Sequence, residues 1–117
     1  MRSIFIVLSF ISISGFAQTA SEEFYDQLNA ERGKRHELSV DSSLARSAKA
    51  WVVKLRSQKM HHDYSGTFGE VLVQNSASPF LSWMHSAPHK KTILNKKYRF
   101  VGYYYDKESG IACARFR

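Results

Sequence analysis

Two histidines and a glutamate carry the chemistry that this sequence could do. His62, Glu70 and His89 supply two imidazoles and a carboxylate, the donor set of an open zinc site whose fourth position is left to water. Spacing alone does not single them out, because the histidines are far apart and no His-Glu-x-x-His motif occurs. A surface or hydrogen-bonded imidazole is the plain alternative for each. His85 and His89 stand four residues apart and would aim at one metal on a continuous helix. Pro88 argues against that pairing, since it lacks an amide hydrogen and pushes the residue before it out of helical geometry. His89 then opens a new helix, where the positive end disfavours imidazolium and keeps the ring neutral, as a ligand requires. His61 is expected to face solvent, and His36 carries no expectation. Cys113 reads as a buried, inert thiol.

The elements that must hold these groups follow from periodicity and punctuation. Ser21 is expected to cap a first helix with Glu22 and Glu23 in its positive turn, Phe24 and Leu28 on one face, and Gly33 at its end. Asp41 caps a second helix, in which Leu44, Ala48, Trp51, Val52 and Leu55 form an apolar stripe. Residues 61–69 are rich in turn formers and read as a loop. A short Val-Leu-Val run follows, and then Ser78 and Pro79 start a third helix with Phe80, Leu81, Trp83 and Met84 on its buried side. The break at 86–88 starts a short fourth helix carrying Ile93 and Leu94. Residues 98–105 and 111–116 are β-branched and aromatic around a turn at 106–110, which predicts a hairpin. Helices precede strands, so the class is α+β, with helices packed on a small antiparallel sheet.

Composition sets the compartment and the size. Met1 and Arg2, an apolar run at 4–13, and Gly15-Phe16-Ala17 read as a secretory signal peptide at 1–17, cleaved after Ala17. The run is shorter than the roughly 18 residues of a membrane span, so no stable transmembrane anchor is expected. Residues 18–117 then form one domain of about 100 residues, secreted to the extracellular space or periplasm. One cysteine excludes an internal disulfide, and stability must come from packing. Seventeen Lys and Arg against ten Asp and Glu leave a basic surface, but no nucleic-acid motif accompanies it and no nucleic-acid partner is expected.

Read in order, four pieces carry a resemblance. Leu28-Asn29-Ala30-Glu31-Arg32 leads to Asp41-Ser42-Ser43-Leu44; Met60-His61-His62 precedes Phe68-Gly69-Glu70; Trp83 to His89 follows, and then Phe100-Val101-Gly102. This series resembles the CAP superfamily, the cysteine-rich secretory and pathogenesis-related proteins, in a short bacterial form without disulfides. The resemblance implies an α-β-α sandwich and a polar cavity in which some members bind a divalent metal. It maps that cavity onto His62, Glu70, Ser86 and His89, with His62, His89 and Glu70 as the metal ligands. Ser86 stands where many relatives have a second acid. Val71 replaces the Asn expected after Gly-Glu, and Ala87-Pro88 replaces Pro-Gly before His89.

The expected function is therefore a secreted monomeric domain that binds Zn2+ or another divalent metal, a lipid, or a protein partner of the cell exterior or envelope. A metal-assisted or general-base hydrolase is the alternative, with Glu70 or a histidine activating water. A basic protein that binds envelope or membrane surfaces is the third.

Overall fold

The computed structural model describes residues 19–117; the predicted signal peptide lies outside them. The chain forms α1 (Ala20–Arg32), a 3-10 turn (Lys34–His36), β1 (Ser39–Val40), α2 (Ser42–Leu55), β2 (Gly69–Gln74), α3 (Pro79–Met84), α4 (Ala87–Ile93), β3 (Phe100–Asp106) and β4 (Ile111–Phe116). The four strands make one sheet in the order β1-β3-β4-β2. The sheet is mixed rather than purely antiparallel: β2 and β3 flank β4 antiparallel, while β1 runs parallel to β3. Two residues suffice for β1, because Asn29 on α1 brackets Leu38 just before it. The Asn29 side-chain amide donates to the Leu38 carbonyl at 3.1 Å and accepts from its amide at 2.8 Å. Beyond β1 the next outward amide of β3, that of Tyr103, donates to the Tyr25 hydroxyl at 3.0 Å.

Alternation along the strands builds two cores, one on each face of the sheet. Val71, Val101, Tyr103, Ala112, Ala114 and Phe116 pack with Phe24 and Leu28 of α1, Phe80 and Trp83 of α3, and Ile93 of α4. Leu72, Ile111 and Cys113 pack with Ala48, Val52 and Leu55 of α2. The result is the expected sandwich, with α2 against one face and three helices against the other. The first core centres on aromatic rings: Phe24 stacks on Tyr103 with centroids 4.1 Å apart and meets Trp83 edge-on at 5.7 Å. The Trp83 indole also donates to the Leu72 carbonyl at 3.0 Å, which ties α3 to the outer strand β2.

Some local expectations are corrected. Thr19, not Ser21, caps α1, and it closes a capping box with Glu22, so the helix starts two residues earlier. Leu81 on α3 is half exposed, because that six-residue helix turns only Phe80 and Trp83 fully inward. Asp41 and Ser78 start their helices and Gly33 ends its helix as expected, and the helix break at Ser86 is present. Gly102 lets α2 lie on β3: a Cβ there would strike the Ala45 amide and the Leu44 backbone. Arg32 is buried and donates to the carbonyls of His36 (2.7 Å), Ile93 (2.6 Å), Asn95 (3.0 Å) and Tyr98 (3.2 Å), tying α1 to the end of α4. Among the described residues no helix is long and apolar enough to cross a membrane.

Candidate functional site

The site begins where α2 ends. The Trp51 indole donates to the His61 carbonyl at 3.0 Å, and the His61 ring meets Trp51 edge-on at 5.1 Å. Trp51 therefore anchors the loop as well as covering the α2 core. His61 is exposed, as expected, and holds the Lys59 carbonyl through Nδ1. That anchoring positions His62, whose Nδ1 lies 2.8 Å from Glu70 Oε1.

Glu70 sits in β2 directly opposite Arg115 in β4. It shares the α2 face with Leu72, and Arg115 shares that face with Cys113 and Ile111, so two charges are aimed into a largely apolar layer. They satisfy each other. Arg115 donates from Nε to Glu70 Oε2 at 3.0 Å and from Nη2 to Asp63 Oδ2 at 2.9 Å, and its Nη2 also lies 2.9 Å from Glu70 Oε2 as an ion pair. The Asp63 amide donates to Glu70 Oε1 at 3.1 Å. Ser65 closes the bend by donating its amide and hydroxyl to Asp63 Oδ1, and these bonds, with Arg115, hold the Asp63 carboxyl below the usual carboxylate range. On its other side the Arg115 guanidinium lies 4.1 Å from the Phe68 ring centroid. Arg115 and Asp63 are the members of this network that sequence reasoning missed.

His89 occupies the third position of α4. Its Nδ1 lies 2.9 Å from the hydroxyl of Ser86, the residue before the helix. Burial lowers its pKa below the ordinary value, and the neighbouring His62 lowers it further. The charge of His62, at the α2 exit, is thus felt at His89 on α4. His85 turns away: its Nδ1 meets the Leu81 carbonyl at 2.7 Å, on the far side of the helix break.

Among the described residues no group of three or more His, Cys, Asp or Glu side chains is placed to hold a metal ion. Both Glu70 oxygens are engaged, by His62 and the Asp63 amide on one side and by Arg115 on the other. Glu70 is the hydrogen-bond partner of the His62 ring, and Ser86 is that of the His89 ring. Each imidazole keeps Nε2 as its remaining nitrogen. Cys113, 3.9 Å from Glu70 through sulfur, is fully buried, and burial followed by the Glu70 charge pushes its thiol far up. Val71, at the position where Asn is usual in the resembled motif, is fully buried in the larger core.

Comparison with known proteins agrees with this architecture. An outer surface protein from Borrelia burgdorferi superposes with a TM-score of 0.69 at 19% identity, over 83% of this chain and 90% of that one. A cysteine-rich secretory protein from Staphylococcus aureus superposes with a TM-score of 0.61 at 20% identity, over 83% of this chain and 37% of that one. No curated protein matches the sequence. The model of the CAP, cysteine-rich secretory protein family matches residues 25–112, from α1 into β4, and the chain belongs to that family.

Proposed function

We propose that the chain is a secreted binding domain whose working groups are the Nε2 atoms of His62 and His89, which take up a divalent cation such as Zn2+ and through it a ligand of the cell exterior or envelope. The observation that carries this reading is that both Nδ1 atoms are already engaged, by Glu70 at 2.8 Å and by Ser86 at 2.9 Å. Such contacts fix ring orientation and leave the opposite nitrogen to a ligand. The depressed pKa of His89 supports a neutral ring at physiological pH, the form that binds metal. A cation held there would supply a Lewis-acidic point for an oxygen or nitrogen donor of the ligand. Export is supported by the pattern at residues 1–17 and by the likeness to an outer surface protein and a secretory protein.

The test is to incubate the folded chain with Zn2+, dialyse, and count retained metal. Near-stoichiometric retention that is lost in His62→Gln and His89→Gln is expected. Glu70→Gln, which weakens the partner of the His62 ring and also takes a charge from Arg115, should weaken binding about 10- to 100-fold in protein shown to be folded by circular dichroism. No retention by the parent chain would overturn the metal reading.

Hydrolysis is a second reading, favoured by the 2.9 Å separation of Ser86 Oγ and His89 Nδ1. Turnover of peptide or ester substrates that disappears in both Ser86→Ala and His89→Gln would put it first.

A further inference from the structure

Residues 71–105 contain no Asp or Glu, yet they carry Lys90, Lys91, Lys96, Lys97 and Arg99. All five are exposed, and none makes an ion pair among the described residues. Elsewhere Arg56 pairs with Asp106 and Glu108, Arg115 with Asp63 and Glu70, and Arg117 with Asp41. Half of the acids, Glu22, Glu23, Asp26, Glu31 and Glu37, lie on α1 or just after it. The segment from α4 into β3 is therefore predominantly positive, with Glu31 of α1 beside Lys96, and an excess of one sign gathers anions.

A hollow of about 380 Å³ opens beside that segment, between the bend at residues 66–69 and Lys97, Tyr98 and Arg117. Its volume falls within the roughly 300–1,000 Å³ range of small-molecule sites. No acid lines it, and Asp41, the partner of Arg117, is held by that residue at 2.7 Å. Phe68 and Tyr98 give it aromatic surface. Arg115 lies against the Phe68 ring, and Lys97 Nζ lies 5.3 Å from the centroid of Tyr98. Gly69 keeps the wall thin, since a Cβ there would meet the Tyr98 hydroxyl.

We propose that this hollow binds a phosphate ester carried on a short polyol, a glycerol-phosphate unit. Lys97 offers a point charge and Arg117 the part of its planar fork that Asp41 leaves free, the two complements that phosphate oxygens take, while Tyr98 and Phe68 cover the carbon skeleton. Inorganic phosphate would leave the aromatic surface unused, and a neutral polyol would leave both cations unused. Lys96 and Arg99 continue the positive charge past the hollow, so an anion repeated on a surface or a polymer gains from them. The site uses neither His62 nor His89 and stands apart from the metal reading.

The experiment is a titration of the folded chain with sn-glycerol 3-phosphate, glycerol and inorganic phosphate, followed by amide NMR. A parallel sedimentation uses vesicles of phosphatidylglycerol or of phosphatidylcholine. Signals of residues 66–69, 97 and 98 should move with glycerol phosphate, at lower concentration than with phosphate, and not with glycerol. Lys97→Gln should weaken binding about tenfold or more, as expected for one charge-assisted hydrogen bond. Lys54→Gln, a surface lysine over Trp51 on another face, should leave it unchanged, as should His62→Gln. Response to both the soluble ester and phosphatidylglycerol makes the free unit sufficient; response to the vesicles alone, lost in Lys97→Gln, makes the lipid headgroup the source. Equal loss in Lys97→Gln and Lys54→Gln, phosphate as effective as its ester, or no response in either arm would overturn the proposal.

Discussion

Arg115 and Glu70 face each other across neighbouring strands, each side chain with at most 4% of its surface exposed, joined by two short contacts to one carboxylate oxygen. Removing one member of such a pair leaves a charge in an apolar layer. Arg115→Met is expected to lower unfolding free energy by about 3–5 kcal/mol in a urea titration. The double variant Arg115→Met, Glu70→Leu should recover much of that loss, because a well-packed apolar pair avoids the desolvation of both ions. A double variant no more stable than the single one would mean that the strands are held here by something other than charge balance.

The protonation of His89 has a definite sign. Its folded pKa lies below the ordinary 6.5, through burial first and the charge of His62 second. The unfolded chain therefore binds more protons in the window that opens just below pH 6.5, and His89 makes stability fall as the pH drops through that window. Below the folded pKa the loss is complete and does not grow. NMR titration of the imidazole signals should show His89 titrating below 6.5 and shifting upward in His62→Gln; an unmoved midpoint would separate the two rings.

Gly102→Ala tests the contact between α2 and the sheet. The added methyl would meet main chain at Leu44 and Ala45, which has no side chain to rotate away. A loss of about 1–3 kcal/mol is expected by chemical denaturation, as for other overpacked sites. Gly33, with positive φ but nothing near its absent Cβ, should lose stability only through backbone strain.

Arg32 is expected to tolerate no cation of another shape. Its fork donates to four carbonyls from three segments, and Lys at that position could not reach them in the same plane. Arg32→Lys should cost at least about 2 kcal/mol of stability, the consequence of leaving buried carbonyls unpaired. A thermal melt matching that of the parent chain would contradict this.

The sequence made the helices legible because their punctuation is local. Asp41, Ser78, Pro79, Gly33 and the Ser86 break act within a turn of themselves, and apolar spacing on α2 reports the face it buries. β1 escaped because two residues carry no period, and its parallel pairing depends on Asn29 acting from another element. His62, Glu70 and His89 were found by type and by family resemblance. Arg115 and Asp63 were not, although a signal existed: Ile111, Cys113 and Arg115 alternate onto one face, as do Leu72 and Glu70. A charge at the end of each apolar series asks for an opposite charge across the ladder. The pairing register that brings them together is a tertiary fact, invisible until β2 and β4 are laid side by side. Ser86 was placed at the site, but its contact with Nδ1 of His89 depends on the turn that Pro88 imposes.

The bond from the Trp83 indole to the Leu72 carbonyl reaches beyond packing. β2 is an outer strand of six residues, and outer strands are the surfaces on which a second chain extends a sheet. With the carbonyl at its middle already occupied by a side chain of α3, an arriving strand meets an acceptor that is spoken for and a helix in its path. In a domain without a disulfide to lock its termini, one indole nitrogen thereby guards the fold against templating its own aggregation.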